Sequence, residues 1–430
     1  MLIRFTTGNY RSFWMPQTLS MVAAPISDHR QNLIQQPGIT LLTSAAVYGA
    51  NASGKSNLLR AMSLMRYMVV AGFEKSSVNE LPYDPFRLHP DGPSKPTLYE
   101  IEFLIDGKRY RYGFEADQSS VQAEWLFVAE KKAEKPLFLR VRDGIEVKRA
   151  FAEGKNLEAK TRDNALFLSV VDQFSGKTAG LIMNWFRKCN VISGLAHETY
   201  RSITFQMLEN PAQQVILSRF FRSLDLGFEN IRVEEEAFHP SQLPADIPET
   251  VTQQMISELQ NKKMVSLKTQ HVVSDDQGQQ MILTEFDASA HESAGTNKVI
   301  DLAGPVFATL LRGGVLVVDE LDAKLHPLLT RSIIRLFQDP EVNRQGGQLV
   351  FATHDTNILS ICNLRRDQIY FVEKNNQAAS DLYSLVEYNK EGKVRKDRSF
   401  EKDYINGRYG AIPYIGDLDK LLNYGAENQG

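Results

Sequence analysis

Ala45-Ala-Val-Tyr-Gly-Ala-Asn-Ala-Ser-Gly-Lys-Ser56 is the stretch that decides how this chain is read. Gly49 and Gly54-Lys55-Ser56 keep the G-x-x-x-x-G-K-[S/T] spacing of a P-loop. In that motif backbone N–H groups wrap a phosphate, a lysine reaches the β and γ oxygens, and a hydroxyl binds Mg²⁺. Residues 39–48, apolar and β-branched, predict a strand leading in, and Leu58, Leu59, Met62, Met65 and Met68 at helical spacing over 57–70 predict a helix leading out. A phosphate then sits at a helix N-terminus, where unpaired N–H groups and the helix dipole favour negative charge. Asn51, Ser53 and Asn57 join Gly49, Gly54, Lys55 and Ser56 as candidate nucleotide-binding residues.

Composition narrows the classes. A chain of 430 residues, 43% hydrophobic and 23% charged, can bury a large core, and its length predicts two lobes. The net charge of −3 and pI near 6.3 supply no global attraction to nucleic acid or an anionic membrane, so such a contact has to come from a local patch. Cys189 and Cys362, the only cysteines, are far apart and lack metal-ligand spacing, which fits a reducing cytoplasm and excludes a disulfide framework. With no signal peptide and no apolar run of about 20 residues, the chain is not expected to span a membrane.

Residues 2–5 and 18–23, on either side of Asn9-Tyr10-Arg11-Ser12-Phe13, read as a short hairpin entering the nucleotide domain. Arg11 is weighed there as a nucleotide contact against a solvated turn residue. After the P-loop helix the pattern is β-rich: residues 98–105 and 109–115 flank Asp106-Gly107, whose tolerance of positive φ predicts a tight hairpin turn. A second hairpin is predicted over 125–148 around Asp143-Gly144. Its Lys131, Lys132, Lys135, Arg140, Arg142, Lys148 and Arg149 form a basic cluster suited to phosphate backbone, while interleaved Glu130 and Glu134 favour the plainer reading of a solvated face. Residues 176–263 are the least regular, with helical stretches at 181–188 and 213–224, a proline-interrupted segment at 239–248, and no sustained heptads. Period-two alternation returns at 264–273 and 280–287, a hairpin closing the insertion.

From His291 the chain is dense in motifs. Val315-Leu-Val-Val318 followed by Asp319-Glu320 has the pattern of a buried parallel strand delivering two carboxylates at its C-terminal edge, a Walker B sequence. Another buried strand, 348–352, ends at Thr353-His354-Asp355 and brings a histidine to the same edge. Chemistry then suggests the roles: Lys55 neutralises the β and γ phosphates, Ser56 and Asp319 contact Mg²⁺, Glu320 orients and polarises the attacking water, and His354 senses the γ-phosphate. Glu292-Ser-Ala-Gly-Thr296, ahead of a helix predicted over 298–311, places a serine and small residues where another anion can approach the backbone.

In order and wording, residues 49–56, 292–296, 315–327 and 351–357 resemble the SMC/RecF-like branch of the ABC ATPases. More narrowly, they resemble bacterial ATPases of the RloA and AbiL type, of the AAA family, linked to restriction loci and abortive phage infection. The resemblance runs from the N-terminal strands through the P-loop helix and over almost everything from His291 on, including Arg395-Lys396-Asp397, Glu401-Lys402-Asp403-Tyr404 and residues 407–413. It implies an α/β fold, an ABC-type P-loop NTPase head with a mixed sheet and an inserted α+β lobe, without a long coiled coil. The expected divisions are 1–71, the N-terminal part of the ATPase core; 72–290, an inserted lobe, β-rich then helical, whose β-rich start is assignable to the core; and 291–430, the C-terminal part of the core. The resemblance further implies that Ser293 and Gly295 belong to a signature loop completing the ATP site of the opposite subunit, and that Asp322 lies in a D-loop communicating across the dimer. Gln173, after the apolar run 166–171, is the candidate glutamine-loop residue. The signature reads Ser-Ala-Gly-Thr where ABC transporters have Ser-Gly-Gly-Gln.

The expectation is a cytoplasmic, Mg-dependent ATPase that binds ATP and forms a homodimer or higher homo-oligomer through composite ATP sites. It would serve as sensor or scaffold in an antiphage, abortive-infection system. The chain ends 430 − 354 = 76 residues after His354 without a recognisable nuclease domain, so the effector is expected to be a separate protein such as a TOPRIM-like nuclease encoded nearby. A phage protein or DNA is the expected trigger, with no membrane partner. Two other readings stand beside it: a RecF/SMC-like DNA-processing ATPase using the basic hairpin or tail, and an ATP-gated scaffold with little turnover.

Overall fold

The computed structural model describes residues 1–72, 80–130, 133–237, 252–253, 256, 263–388, 394 and 398–413. Lys131 and Lys132 of the basic cluster, the proline-interrupted segment 239–248 and Arg395-Lys396-Asp397 lie outside the described residues. The chain forms two compact units, one of Met1–Leu195, Thr309–Asp322 and Thr330–Gly430, the other of Ala196–Ala308 and Ala323–Leu329. Strands and helices below are numbered in chain order.

Long apolar runs without alternation belong to strands buried on both faces, and the first unit is built on such runs. Its six-stranded sheet has the order β11 (Cys189–Ser193), β15 (Val315–Asp319), β16 (Gln348–Ala352), β5 (Ser44–Tyr48), β17 (Ile369–Lys374) and β18 (Ser380–Ser384). All neighbours are parallel except β17 and β18, which form an antiparallel hairpin, so the sheet is mixed. Every residue of β5 and β16 is buried. This is the expected α/β P-loop class. Against it packs a seven-stranded antiparallel sheet, β10 (Gly144–Val147), β9 (Lys135–Val141), β8 (Val121–Ala129), β7 (Lys108–Ala116), β6 (Thr97–Ile105), β1 (Leu2–Gly8) and β2 (Gln17–Ser20). The Asp106-Gly107 turn between β6 and β7 has φ of +49° and +76°, as a tight hairpin of that type requires.

Helices α1 (Lys55–Ala71), α2 (Phe167–Gln173) and α3 (Lys177–Arg187) contribute their apolar faces to one continuous core with both sheets. Trp185 of α3 stacks on Phe103 of β6 at 4.2 Å. Glu124, fully buried on β8, accepts N–H groups of Phe167 and Leu168 at 2.6 and 3.0 Å and the Tyr112 hydroxyl at 2.9 Å, with Arg140 3.8 Å away. Burial pushes its carboxyl above the usual range against the pull of Arg140 and those two N–H groups. It thereby holds the start of α2 against the sheet.

One predicted strand and one predicted hairpin divide differently. Residues 39–48 are two strands: β4 (Ile39–Leu42) pairs with β3 (Leu33–Gln36), and β5 enters the central sheet. Thr43, between them, donates its N–H to Asn32 O and accepts at its carbonyl from Leu349 N, so the chain bends where its partners change. Residues 125–148 hold most of β8 together with β9 and β10, and only β9 and β10 meet at Asp143-Gly144. Arg140 of the basic cluster points inward, donating to Ala165 O at 2.6 Å and Asp163 O at 3.1 Å, and is closed to a phosphate backbone.

In the second unit α4 (Arg201–Glu209) and α5 (Pro211–Ser223) accompany an antiparallel sheet of β12 (Asn230–Ala237), β13 (Lys263–Ser274) and β14 (Gln280–Asp287). Pro305, inside the Ala294–Arg312 helix, cannot donate to the carbonyl four residues back. Thr204 Oγ1 of α4 takes that place, 3.1 Å from Asp301 O, and Gly304 leaves room for the approach, since a Cβ there would lie 2.6 Å from the same hydroxyl. The buried Asp301 carboxylate is held by Arg201 Nε and His197 Nδ1, both at 2.7 Å. That 19-residue helix is the longest among the described residues, where no helix is long and apolar enough to cross a membrane.

Candidate nucleotide site

Strand β5 delivers the chain to the loop 49–54, and α1 begins at Lys55 with Gly54 as its N-cap. Both glycines are needed as glycines. Gly54 has φ +119°, and a Cβ there would lie 2.6 Å from Ser12 Oγ and closer still to Ser380 Oγ; one on Gly49 would lie 2.6 Å from Ser53 Oγ and collide with Val372 O. Ala52 also adopts a left-handed conformation, φ +61°. The helical bonding of α1 begins with Asn57 N and Leu58 N donating to Gly54 O, at 2.9 and 3.1 Å, so the N–H groups of Lys55 and Ser56 precede the first helical bonds. Ser53 Oγ is buried and has no hydrogen-bond partner among the described residues.

Lys55 is almost completely buried and folds back over the loop, donating to Gly49 O at 2.7 Å and Ala50 O at 3.1 Å. Burial holds its pKa below the usual 10.5, with Asp319, Glu320 and Asp322 pulling the other way. Ser56 Oγ donates to Asp319 Oδ1 at 3.0 Å, which joins the two candidate metal contacts across 263 residues of sequence. This oxygen pair suits Mg²⁺, which takes few protein carboxylates and draws further ligands from water and phosphate. No cluster of three His, Cys, Asp or Glu that could hold a metal occurs among the described residues.

The Walker B pair follows from sheet order. Strand β16 lies between β5 and β15, so the P-loop, Asp319-Glu320 and Thr353-His354-Asp355 leave the same carboxyl edge. Glu320 turns the chain in a left-handed conformation, φ +56°. His354 is exposed two residues past β16, and Tyr48 Oη donates to Asp355 O beside it at 3.3 Å. Asp322 Oδ1 is buried without a hydrogen-bond partner among the described residues.

Asn51 is exposed on the loop, and Asn57 Nδ2 donates to Ser12 Oγ at 2.9 Å. Arg11 Nη1 reaches Asn57 Oδ1 at 3.4 Å while its Nε is tied to Asp84 at 2.7 Å. Gln173 is the exposed last residue of α2. Ser293 and Gly295 belong to the second unit, where Ser293 Oγ caps the Ala294–Arg312 helix by accepting Thr296 N at 3.1 Å. A Cβ on Gly295 would lie 2.9 Å from Lys324 O, and Lys298 Nζ donates to Ala323 O at 2.5 Å. The preceding Glu292 accepts from Thr269 Oγ1 at 2.7 Å and lies 2.9 Å from His271 Nε2.

Two residues next to the loop escaped the sequence reading. Ser380 Oγ donates to Ser53 O at 2.5 Å, and Ser380 N donates to Ser12 O at 2.7 Å, so these serines support the P-loop from outside the motif. A serine in a turn, like Ser12, or at the start of a polar strand, like Ser380, carries no signal of its own.

Residues 44–360 match the family model described as "AAA domain, putative AbiEii toxin, Type IV TA system". A search of curated proteins gave no match. Among solved structures, the recombination mediator protein RecF bound to ATP, of the RecFOR pathway, aligns at 12% identity over 82% of this chain and 93% of that chain, with a TM-score of 0.31.

Proposed function

This chain belongs to the AAA_21 family of AAA domains, and we propose from that premise that it is an ATP-binding and ATP-hydrolysing subunit of a bacterial antiphage system. The observation that carries the reading is the 3.0 Å hydrogen bond from Ser56 Oγ to Asp319 Oδ1, P-loop hydroxyl to Walker B carboxylate at one sheet edge. In the bound state, phosphate oxygens take the place of Gly49 O and Ala50 O as acceptors for the Lys55 ammonium, so the buried charge keeps its partners. Ser56 and Asp319 would hold Mg²⁺, which when bound neutralises charge on the phosphates. Glu320 orients the attacking water and His354 meets the γ-phosphate side.

Two copies would complete each other's sites through Ser293 and Gly295, with Asp322 relaying between them. The chain would act in the cytoplasm as a sensor or scaffold, as in the RloA and AbiL type, and hand the toxic step to a separate effector such as a TOPRIM-like nuclease. Phosphate release from Mg-ATP tests the first level: wild type turns over, Lys55→Ala neither binds nor hydrolyses, and Glu320→Gln binds without turnover. Undiminished turnover by Lys55→Ala would sink the P-loop assignment. Plating phage on cells carrying the gene and its neighbours tests the second, since protection should vanish with Lys55→Ala; equal plaque counts with and without the wild-type gene would refute it.

A further inference from the structure

We propose that Gly194, at the end of edge strand β11, is a positioning residue for Glu320. The inference rests on the assignment of Glu320 as the water-orienting carboxylate. Strand β11 runs parallel to β15 in register from Cys189 opposite Val315 to Ser193 opposite Asp319. One residue further, Gly194 N donates to Asp319 O at 2.6 Å. A Cβ on Gly194 would lie 2.8 Å from Glu320 C and 2.9 Å from Asp319 O, and would collide outright with Glu320 O. All three are backbone atoms, which no rotamer change can move aside. The backbone at Gly194 thus lies directly against the Asp319-Glu320 backbone, where Glu320 makes its left-handed turn at φ +56°. Ser193 Oγ accepts Leu195 N at 3.3 Å and steers β11 away just after the contact. A side chain at 194 has to push this turn outward and re-aim the carboxylate, while the Lys55 ammonium is held on the loop by Gly49 O and Ala50 O and Ser56 reaches Asp319 through its side chain, not through the carbonyl that Gly194 meets.

The test is single-turnover and steady-state Mg-ATP hydrolysis by the full chain, with nucleotide affinity read from a fluorescent ATP analogue. Gly194→Ala should keep affinity within about twofold and lose on the order of 100-fold in kcat, the effect of a misplacement near 1 Å. In a Glu320→Gln background it should cost nothing further, because both changes remove the same contribution. Ser193→Ala introduces no clash and should lower kcat by a smaller factor at unchanged affinity; it decides the matter if Gly194→Ala does not fold. Wild-type turnover that Glu320→Gln abolishes and both β11 variants retain overturns this inference alone. Parallel loss of affinity and rate also overturns it, since the glycine would then serve the fold as a whole. Turnover that survives Glu320→Gln removes the functional assignment and this inference with it.

Discussion

At the scale of single residues, the site depends on one missing methyl group and one folded-back ammonium. Gly54 combines φ +119° with contact to Ser12 and Ser380, so Gly54→Ala meets both backbone strain and a collision. We expect it to cost about 1–3 kcal/mol of stability and most of the nucleotide affinity, measured by thermal unfolding and by titration calorimetry; native affinity would contradict the geometry. Lys55 adds a pH dependence. Its folded pKa lies below 10.5, so between the two values the unfolded chain binds more protons and stability of the nucleotide-free protein rises with pH. On the proposed assignment nucleotide affinity moves the opposite way, because the same deprotonation removes the charge that would meet the phosphates. Titrations from neutral pH to about pH 10 should show affinity falling before an ordinary lysine would titrate; a flat profile would dissociate Lys55 from binding.

At the scale of elements, strands and helices differ in how visible they are beforehand. The β5–loop–α1 unit and β15 were legible because an apolar run, a glycine spacing and a helical period are all local. The break at Thr43 was not, since its cause is a carbonyl bonded to Leu349, about 300 residues away in sequence. Arg140 shows the same limit: within its own segment it is one cation among several, and only the packed carbonyls of Asp163 and Ala165 reveal it as buried. Its neighbour Glu124 allows a prediction. Glu124→Ala leaves the Tyr112 hydroxyl and two N–H groups without their shared acceptor and Arg140 without the carboxylate 3.8 Å away, which should cost about 3–5 kcal/mol in urea unfolding, with Glu124→Gln losing less. A loss within experimental error would mean that α2 is held by packing alone.

At the scale of the whole molecule, the proposed cycle needs two copies. The mass of Glu320→Gln in solution should rise on adding Mg-ATP and fall back when nucleotide is removed, because a variant that binds without hydrolysing accumulates the closed form; a mass indifferent to ATP would favour the scaffold with little turnover. What the amino-acid order determined by itself was the phosphate loop, the two carboxylates after a buried strand, the histidine after another, and the α/β class that such strands imply. These rest on residue types at short spacings, where backbone conformation is decided locally. Only the tertiary structure decided that Ser56 meets Asp319, that Ser12 and Ser380 close on Gly54, and that Gly194 lies against Glu320. Each of these contacts joins segments from different parts of the chain, and their meeting is set by strand order and the sharing of one core, which no local pattern encodes.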